Sequence, residues 1–588
     1  MTASEKHAAA RDALVRHDYD AAVRHIGDAL VDNEHDAAAM ALMAETLEEQ
    51  GQVLEAIGYA VLAINTDNDN LPAKKQFLRL AGDMHFTHHN PNVESAILAC
   101  LKTPDLEYGG ANVLWGNALL VNPSFIALFT HVMRKRVLPW SKPFDGVTDF
   151  APLLTPYFLL GAGQITVCFL PFERFMVNLR AFLLEQSGAS EPRLAKPDLL
   201  RLTAAMARYA YHADFILQID PKEKKQADLY REKVLSGNGD AQDVAILACY
   251  APLYGLANAD GLEKQYGGHP ELADMISDHI TEYKSLRQRA MNIVPTTPIM
   301  GEVAEKVRNM YENFPYPRWR QLEETKLTWR EQDRVALEKP GATGLVAGCG
   351  TGRESCQLAY AFPNADILAV DITAASLSYA ISKAEQYGIK NVAHIQADIL
   401  ELPSLGRTFD YIHSVGVLHH MADPEKGWAT LVDLLKPDGV MHIGLYGEMP
   451  RRSIVEARAA IAKGKYPATP EGMREFRKDS PLLLRAESMA TLLKARDYYF
   501  LNMYSDLLFH VHEDRFTIPR IAAALDKMGM VFTGFKLPDK VMQEFRNLFP
   551  DDIRGLSLKN WEAFEKLHPD TFIHSYKFWC RKANAKGA

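Results

Sequence analysis

No two of the six cysteines in this sequence, at 100, 168, 249, 349, 356 and 580, stand in a C-x-x-C pair or any other zinc-ligand spacing. A structural zinc site is therefore not expected, and the thiols are expected to be reduced in a cytoplasmic protein. Nor is there a basic surplus: 65 Lys and Arg face 74 Asp and Glu, a net charge of -9, which argues against a general nucleic-acid binder. Local basic clusters remain, such as Arg451, Arg452, Arg458, Lys463 and Lys465. Long unbroken apolar runs are missing too. The longest, "APLLTPYFLLGAGQITVCFLPFERF" from Ala151, is interrupted by Pro156, Gln164 and Pro171 and reads as buried core, not as a membrane span. The start, "MTASEKHAAARDALVRHDYD", lacks the apolar centre of a secretory signal. What is present is an ordinary soluble composition, 47% hydrophobic and 24% charged, with enough apolar residues for two to four domains.

The first 82 residues contain an internal repeat. "HDYDAAVRHIGDAL" from His17 aligns with "GQVLEAIGYAVLAI" from Gly51 at an offset of 34 residues, with Ala22 over Ala56, Ala29 over Ala63 and Ala39 over Ala73. That period, with small residues at helix contacts, resembles tetratricopeptide repeats, which offer a concave surface to a protein or peptide; an alanine-rich helical bundle is the alternative. Residues 83–300 look mainly helical, as in "ESAILACLKTPDL" and "DVAILACYAPLYGL", and carry no chemical motif. They are expected to be structural, docking or dimerising, a homodimer being the assembly considered.

The informative stretch is "LVAGCGTGRESCQLAYAFPNADILAVD", residues 345–371. An apolar strand runs into three glycines, a helical pattern follows, and a second apolar strand stops on Asp371. Gly348, Gly350 and Gly352 allow a sharp turn and close approach of a ligand to the backbone. The free N–H groups of the following helix point to the same place. Asp371, about 20 residues beyond the glycines, is positioned to accept hydrogen bonds from ribose hydroxyls. The spacing is G-x-G-x-G, so the dinucleotide fingerprint G-x-G-x-x-G is not intact.

Downstream the pattern repeats. A helix over 374–386 leads to "NVAHIQADIL", ending at Asp398, and then to "TFDYIHSVGVLHHMADPEKGWATLVDLLKPDGVMHIGLYGE", residues 408–448. Strands alternating with helices predict an α/β domain with a parallel sheet and crossover helices. Ligands should sit at the carboxyl ends of its strands, which carry the glycine turn, Asp371, Asp398 with Ile399, Val415 to His419, and Tyr446. At these residues the sequence resembles the class I S-adenosylmethionine-dependent methyltransferases. "AGCGTG" is similar to their first motif, "ADIL" to the strand end whose acid meets the adenine amino group, and "SVGVLHHMADP" with "LLKPDGVMHIGLY" to their fourth and fifth motifs. The resemblance implies a Rossmann-like sheet closed by "GMVFTGF" and "TFIHSYKFWCRK", the last strand antiparallel, with all-α domains ahead of it. It implies S-adenosyl-L-methionine as cofactor, held by Gly348, Cys349, Gly350, Gly352, Asp371, Ile372, Asp398, Ile399, Val415 and His419, and no metal. Many members carry an acid two residues before the first motif glycine; here that residue is Val346, which leaves the cofactor's ammonium to backbone carbonyls or an acid from elsewhere.

The domain boundaries expected are 1–82 for the repeats, 83–300 for the helical middle, 301–338 for a connector and 339–588 for the catalytic domain, with a helical insertion at about 449–500. The connector's "VRNMYENFPYPRWR" combines two prolines, which force an extended path, with Tyr311, Tyr316, Arg318 and Trp319. It reads either as a clip joining two domains or as a segment closing over the cofactor or lining the substrate channel, with Tyr316 a candidate there. Asp506, His510 and Glu513 fall at i, i+4 and i+7, one face if 504–520 is helical. That face is either solvated and salt-bridged or a substrate clamp or base. Methyl transfer from a sulfonium mainly requires a nucleophile held in line and away from water, with its proton removed; Tyr446, His510 and Glu513 are the candidates for that removal.

For the acceptor, "SVGV" takes the place of the Asn/Asp-Pro-Pro-Tyr loop that grips flipped bases, so a nucleic-acid amine is disfavoured. Some 300 helical residues ahead of the catalytic unit favour a protein or peptide. With the "PYPRW" segment, the arrangement loosely resembles bacterial outer-membrane-protein lysine methyltransferases, which implies a lysine acceptor. A small-molecule or glycan O-methyltransferase, and a scaffold that only senses the cofactor, are the alternatives.

Overall fold

The computed structural model describes residues 1–588 except 83, 104–105, 107–110, 135–141, 314–318, 320–321, 323–329, 573–574 and 584–588. It divides into two compact units, Met1–Glu282 and Tyr283–Ala588.

The first unit is helical. Its opening helices, Ala3–Val15, Tyr19–Asp32, Ala37–Glu49, Val53–Thr66 and Leu71–Ala81, are short and closely capped. Asp18, Asp36 and Asn70 each accept the N–H three residues on, satisfying a donor the helix cannot pair internally. Asp36 and Asn70 are 34 residues apart, and so are the alanines they cap, Ala39 and Ala73; both alanines are fully buried, as are Ala22 and Ala56. At these positions a larger side chain would push neighbouring helices apart.

Further along, the apolar run from Ala151 is folded inward: Leu153, Phe158, Ala162, Ile165, Val167 and Phe172 are buried. They join a core in which Trp115 meets Phe158 and Phe172, and Phe125 meets Phe175. Among the described residues no single helix is long and apolar enough to cross a membrane. The helices Val113–Val121 and Pro123–Arg134 meet that length and composition only jointly, bent by 90° at their junction.

The second unit is built on seven strands: β1 Thr343–Ala347, β2 Asp366–Asp371, β3 Val392–Gln396, β4 Phe409–Val415, β5 Leu435–Tyr446, β6 Met530–Phe535 and β7 Ser575–Lys582. Their order is β3-β2-β1-β4-β5-β7-β6, with β1 to β5 parallel and β7 antiparallel to both neighbours. The expected α/β Rossmann-like sheet is therefore present, antiparallel last strand included. Helices cover both faces, so β4 is buried along nearly its whole length. One face packs Ile412, Met441 and Ile443 against Trp428 and Ile521. The other packs Val346, Ile367 and Tyr411 against Leu337, Leu358 and Leu377.

The strand order reverses between β1 and β4, which opens a crevice at the carboxyl ends of these two strands. Asp410 anchors the far end of the same pair, accepting from the Thr343 N–H at 2.9 Å and from Lys436 at 2.8 Å. Between β5 and the helix Ile518–Lys527 lie the helices Arg452–Gly464, Pro470–Leu483, Ala486–Lys494 and Leu501–Phe509.

Packing in the first unit gives a test with an unusual sign. Gly161 sits in the helix Pro156–Ala162, where alanine ordinarily stabilises. A Cβ there would overlap the Trp115 indole. Gly161→Ala is expected to destabilise by about 1–3 kcal/mol, read as faster amide exchange across the helices that contribute Trp115 and Phe172; unchanged protection would refute the packing argument.

Candidate cofactor and acceptor site

Three glycines set the geometry. Gly348, Gly350 and Gly352 have φ of 76°, 52° and 83°, the left-handed region that other residues enter at a cost. The Gly348 and Cys349 N–H groups both donate to the Val370 carbonyl, at 2.8 and 2.9 Å, which ties the turn to the end of β2. A Cβ on Gly348 would overlap Val417, in the loop after β4, and one on Gly352 would overlap Ala380. The turn is thus wedged between its neighbours, and the helix Arg353–Ala361 starts from it.

Asp371 ends β2 and reaches back to this turn. Its Oδ2 accepts the Gly350 N–H at 2.8 Å, while Oδ1 accepts the Thr373 N–H at 2.9 Å and the Thr373 hydroxyl at 2.6 Å. Burial pushes its carboxyl above the ordinary value against the pull of these bonds, and the nearby Glu312 adds to the rise. A carboxylate has about four acceptor positions, so one on Oδ2 is left for a hydroxyl. Asp398, after β3, is buried and among the described residues spends only Oδ1, on the Leu400 N–H at 3.0 Å. Ile399, buried beside it, begins the turn Ile399–Leu405, and the Ile372 carbonyl accepts from Gln396. Val415 ends β4, and His419 lies in the single turn Leu418–His420. All ten residues expected to hold the cofactor lie at the carboxyl ends of β1 to β4 or in the loops that follow them. A Cβ-free turn, an uncommitted carboxylate oxygen on Asp398 and an open acceptor position on Asp371 fit a nucleoside.

Two contacts here are not visible in the local sequence. Thr373 occupies the N-cap of the helix Ala374–Gln386 but gives its hydroxyl to Asp371, so it does not cap. Glu312 caps from 62 residues away, accepting the Ala374 and Ala375 N–H groups at 2.7 and 3.2 Å. At the edge of the sheet, Asp398 donates its N–H to Thr297 Oγ1 at 2.9 Å, and Thr296 donates to the Gln396 carbonyl at 2.7 Å. In the aromatic junction, Trp319 is buried and its indole N–H donates to the Thr351 carbonyl in the glycine turn at 2.8 Å. Tyr316 lies outside the described residues.

A second cluster of buried polar and aromatic side chains gathers around Tyr446. The His419 ring stacks on it at 3.6 Å between centroids, and the Arg451 guanidinium lies 3.6 Å from the same centroid. Two flat groups that close cannot share a face, so Tyr446 is sandwiched between them. Arg451 is 1% exposed and pairs with Glu513 through two bonds, at 3.0 and 2.6 Å.

The single helical face expected for Asp506, His510 and Glu513 is not formed. The helix Leu501–Phe509 stops with His510 as its C-cap at ψ 135°, because Arg458 takes the Leu508 and His510 carbonyls. Asp506 and His510 still meet, through the turn, whereas Glu513 is consumed by Arg451 and offers no free base. The basic cluster is also dispersed: Arg451 is buried, Arg452 pairs with Asp570, and Arg458 caps the helix end.

The histidines are held neutral. Burial, with Arg451 and His510 close by, pushes His419 far below the ordinary imidazole value, and burial does the same to His420 and brings His510 to about 3. Their tautomers follow from their bonds. His419 Nδ1 accepts the Tyr446 N–H at 3.2 Å and His510 Nδ1 accepts the His512 N–H at 3.1 Å, so each carries its proton on Nε2. Both Nε2 atoms are buried without a partner among the described residues. His420 is reversed: its Nδ1–H donates to the His512 carbonyl at 2.8 Å, leaving a lone pair on Nε2.

Residues 338–483 match the family described as "Methyltransferase domain". This part of the chain is an S-adenosylmethionine-dependent methyltransferase domain. An uncharacterized protein of Synechococcus sp. is 29% identical over 299 residues, 46% of this chain and 70% of that protein. The trans-aconitate 2-methyltransferase of Deinococcus radiodurans is 34% identical over 114 residues, 19% of this chain and 42% of that enzyme. Among solved structures, PKMT2 from Rickettsia typhi in complex with AdoHcy is 17% identical at a TM-score of 0.35, covering 46% of this chain and 55% of that one. The methyltransferase domain uses S-adenosyl-L-methionine as its cofactor.

Asp371→Ala is expected to weaken binding of S-adenosylhomocysteine by about 1–3 kcal/mol, the scale of a lost hydrogen bond to a charged group. Calorimetry with the full chain reads it, and an unchanged dissociation constant would remove Asp371 from the ribose site.

Proposed function

We propose that the protein transfers a methyl group from S-adenosyl-L-methionine to the side-chain amine of a lysine in a protein substrate. The observation that carries this reading is the charge at the acceptor end. Asp506 is buried and accepts a hydrogen bond from the Tyr311 hydroxyl, and among the described residues no cation pairs with it. Arg451 is committed to Glu513, and the three histidines are neutral. Burial raises the Asp506 carboxyl to about 6 against the pull of the Tyr311 bond and of the nearby Arg451 charge, and Asp497 and Glu513 add to the rise. An ammonium group would supply the missing cation, since a buried carboxylate is costly alone and tolerated when paired.

When bound, the cofactor supplies an activated methyl group. The protein's own tasks are to hold the amine, keep water out and accept a proton. Tyr446, fixed between His419 and Arg451, forms a rigid wall for the acceptor; Asp506 fixes its charge. The helical first unit, read as tetratricopeptide-like repeats, is assigned the binding of the protein segment that carries the lysine. A second reading, a hydroxyl acceptor on a small molecule or glycan, is favoured by one observation: the unpartnered Nε2–H donors of His419 and His510 suit an oxygen.

Incubating the protein and S-adenosylmethionine bearing a heavy methyl group with cell extracts should place label on protein lysines; label confined to small molecules or glycans would overturn the lysine reading. Asp506→Asn should raise the KM for the amine about 100-fold, roughly 3 kcal/mol for breaking a buried pair, with S-adenosylhomocysteine affinity nearly unchanged.

A further inference from the structure

The stretch 293–300, which leads into the helix Glu302–Asn313, forms neither helix nor strand, and what it buries runs against its composition. Val294 is 79% exposed and Met300 65%, while the one side chain of the stretch fully taken from water is Thr297, at 4%. An exposed apolar residue is common; a buried polar one in an irregular segment calls for partners. Part of the reason is the sheet. β3 lies at its edge, with outward backbone groups that no further strand pairs. Thr296 donates its N–H to the Gln396 carbonyl at 2.7 Å, and Thr297 Oγ1 accepts the Asp398 N–H at 2.9 Å. Pro295 and Pro298 disfavour a helical turn at the residues before them, which suits a segment lying along a strand edge.

That bond uses Thr297 only as an acceptor. A hydroxyl also has a proton to give, and among the described residues Thr297 gives it to nothing. Asp398 is buried too, and Oδ2 stays uncommitted among the described residues once Oδ1 has taken the Leu400 N–H. One donor and one acceptor are therefore left over on two residues that a hydrogen bond already holds together, at the carboxyl end of β3. Adenine presents the complement, an amino donor with a ring-nitrogen acceptor beside it. We infer that Thr297 and Asp398 read the adenine of the cofactor together: Asp398 Oδ2 accepts from the amino group, and the Thr297 hydroxyl donates to a neighbouring ring nitrogen. The inference rests on the cofactor site and holds whichever molecule accepts the methyl group. It adds a contact from the connector, 101 residues before Asp398 in the chain. Hypoxanthine would be rejected, because it carries a carbonyl oxygen where adenine carries its amino group and would set that oxygen against the Asp398 carboxylate.

A Thr297 that only covers the Asp398 N–H is distinguished from one that touches the base by a double-mutant cycle between protein and ligand. S-Adenosylhomocysteine and its 1-deaza and 7-deaza analogues, each with one ring nitrogen replaced by carbon, are titrated by calorimetry into the full chain. The variant is Thr297→Val, which keeps the branched shape and loses the hydroxyl. One of the two deaza analogues should bind the native protein about three- to tenfold more weakly than S-adenosylhomocysteine, the range for one hydrogen bond between neutral groups. In Thr297→Val, where no donor is left unpaired, the same replacement should cost less than about twofold. Thr297→Ser keeps the hydroxyl and should keep the native penalty. S-Inosylhomocysteine should bind the native protein at least about tenfold more weakly than S-adenosylhomocysteine, and Asp398→Asn, whose amide can donate to the carbonyl oxygen, should narrow that gap.

Deaza penalties that are equal in the native protein and Thr297→Val, or absent from the native protein, would overturn Thr297 as a contact of the base and leave it a cover for the strand edge. Equal affinity of the native protein for the inosyl and adenosyl ligands would remove Asp398 from the amino group, and the joint reading with it. Should Thr297→Val misfold, Thr297→Ala carries the same cycle.

Discussion

The turn at Gly348, Gly350 and Gly352 is the constraint from which the rest of the site is built. Three successive left-handed glycines turn the chain sharply after β1, and close packing against Val417 and Ala380 leaves no room for a Cβ at the first or third. Because the turn is short, the Gly350 N–H reaches the carboxylate that ends β2. Because it is tight, the loop after β4 lies directly against it, and that loop carries His419 and His420. Asp371 at the end of β2 and the two histidines of the loop after β4 thus lie on two sides of one backbone feature.

Much of this was legible because it is local. The parallel strands are short apolar runs, and acids at their ends, Asp371 and Asp398, stand where a sheet of this order puts its ligands. The glycines announce their own conformation. The Rossmann-like sheet, its antiparallel last strand and the gathering of the expected cofactor residues at the strand ends all follow from such signals.

The acceptor end was less legible, for a physical reason. Spacing puts Asp506, His510 and Glu513 on one face if the segment is helical, and no glycine or proline directly after Phe509 signals a stop; the helix ends because Arg458, about 50 residues earlier, takes its last carbonyls. Glu513 looked like a candidate base because its partner, Arg451, is 62 residues away. Thr373 stands at the N-cap position, yet its hydroxyl is on Asp371 and Glu312 does the capping. In each case a long-range ion pair or hydrogen bond overrides a short-range pattern, which periodicity cannot register. The tautomers of His419, His420 and His510 are further still from the sequence, since they are set by backbone groups of Tyr446 and His512.

The substitution of Glu312 for Thr373 as the cap has a consequence for how the two ends of the site are coupled. Thr373 has one hydroxyl proton, and giving it to Asp371 holds the acid against the glycine turn but leaves the first N–H groups of the helix Ala374–Gln386 in need of an acceptor. Glu312 fills that need, and the residue before it, Tyr311, donates to Asp506. Adjacent residues of the helix Glu302–Asn313 therefore bind the element that follows Asp371 and the carboxylate of Asp506. Displacing that helix would break both contacts together, leaving orphan N–H groups at one end and a buried carboxylate without a donor at the other. Such paired losses couple the surroundings of Asp371 to those of Asp506 through two adjacent residues of one helix.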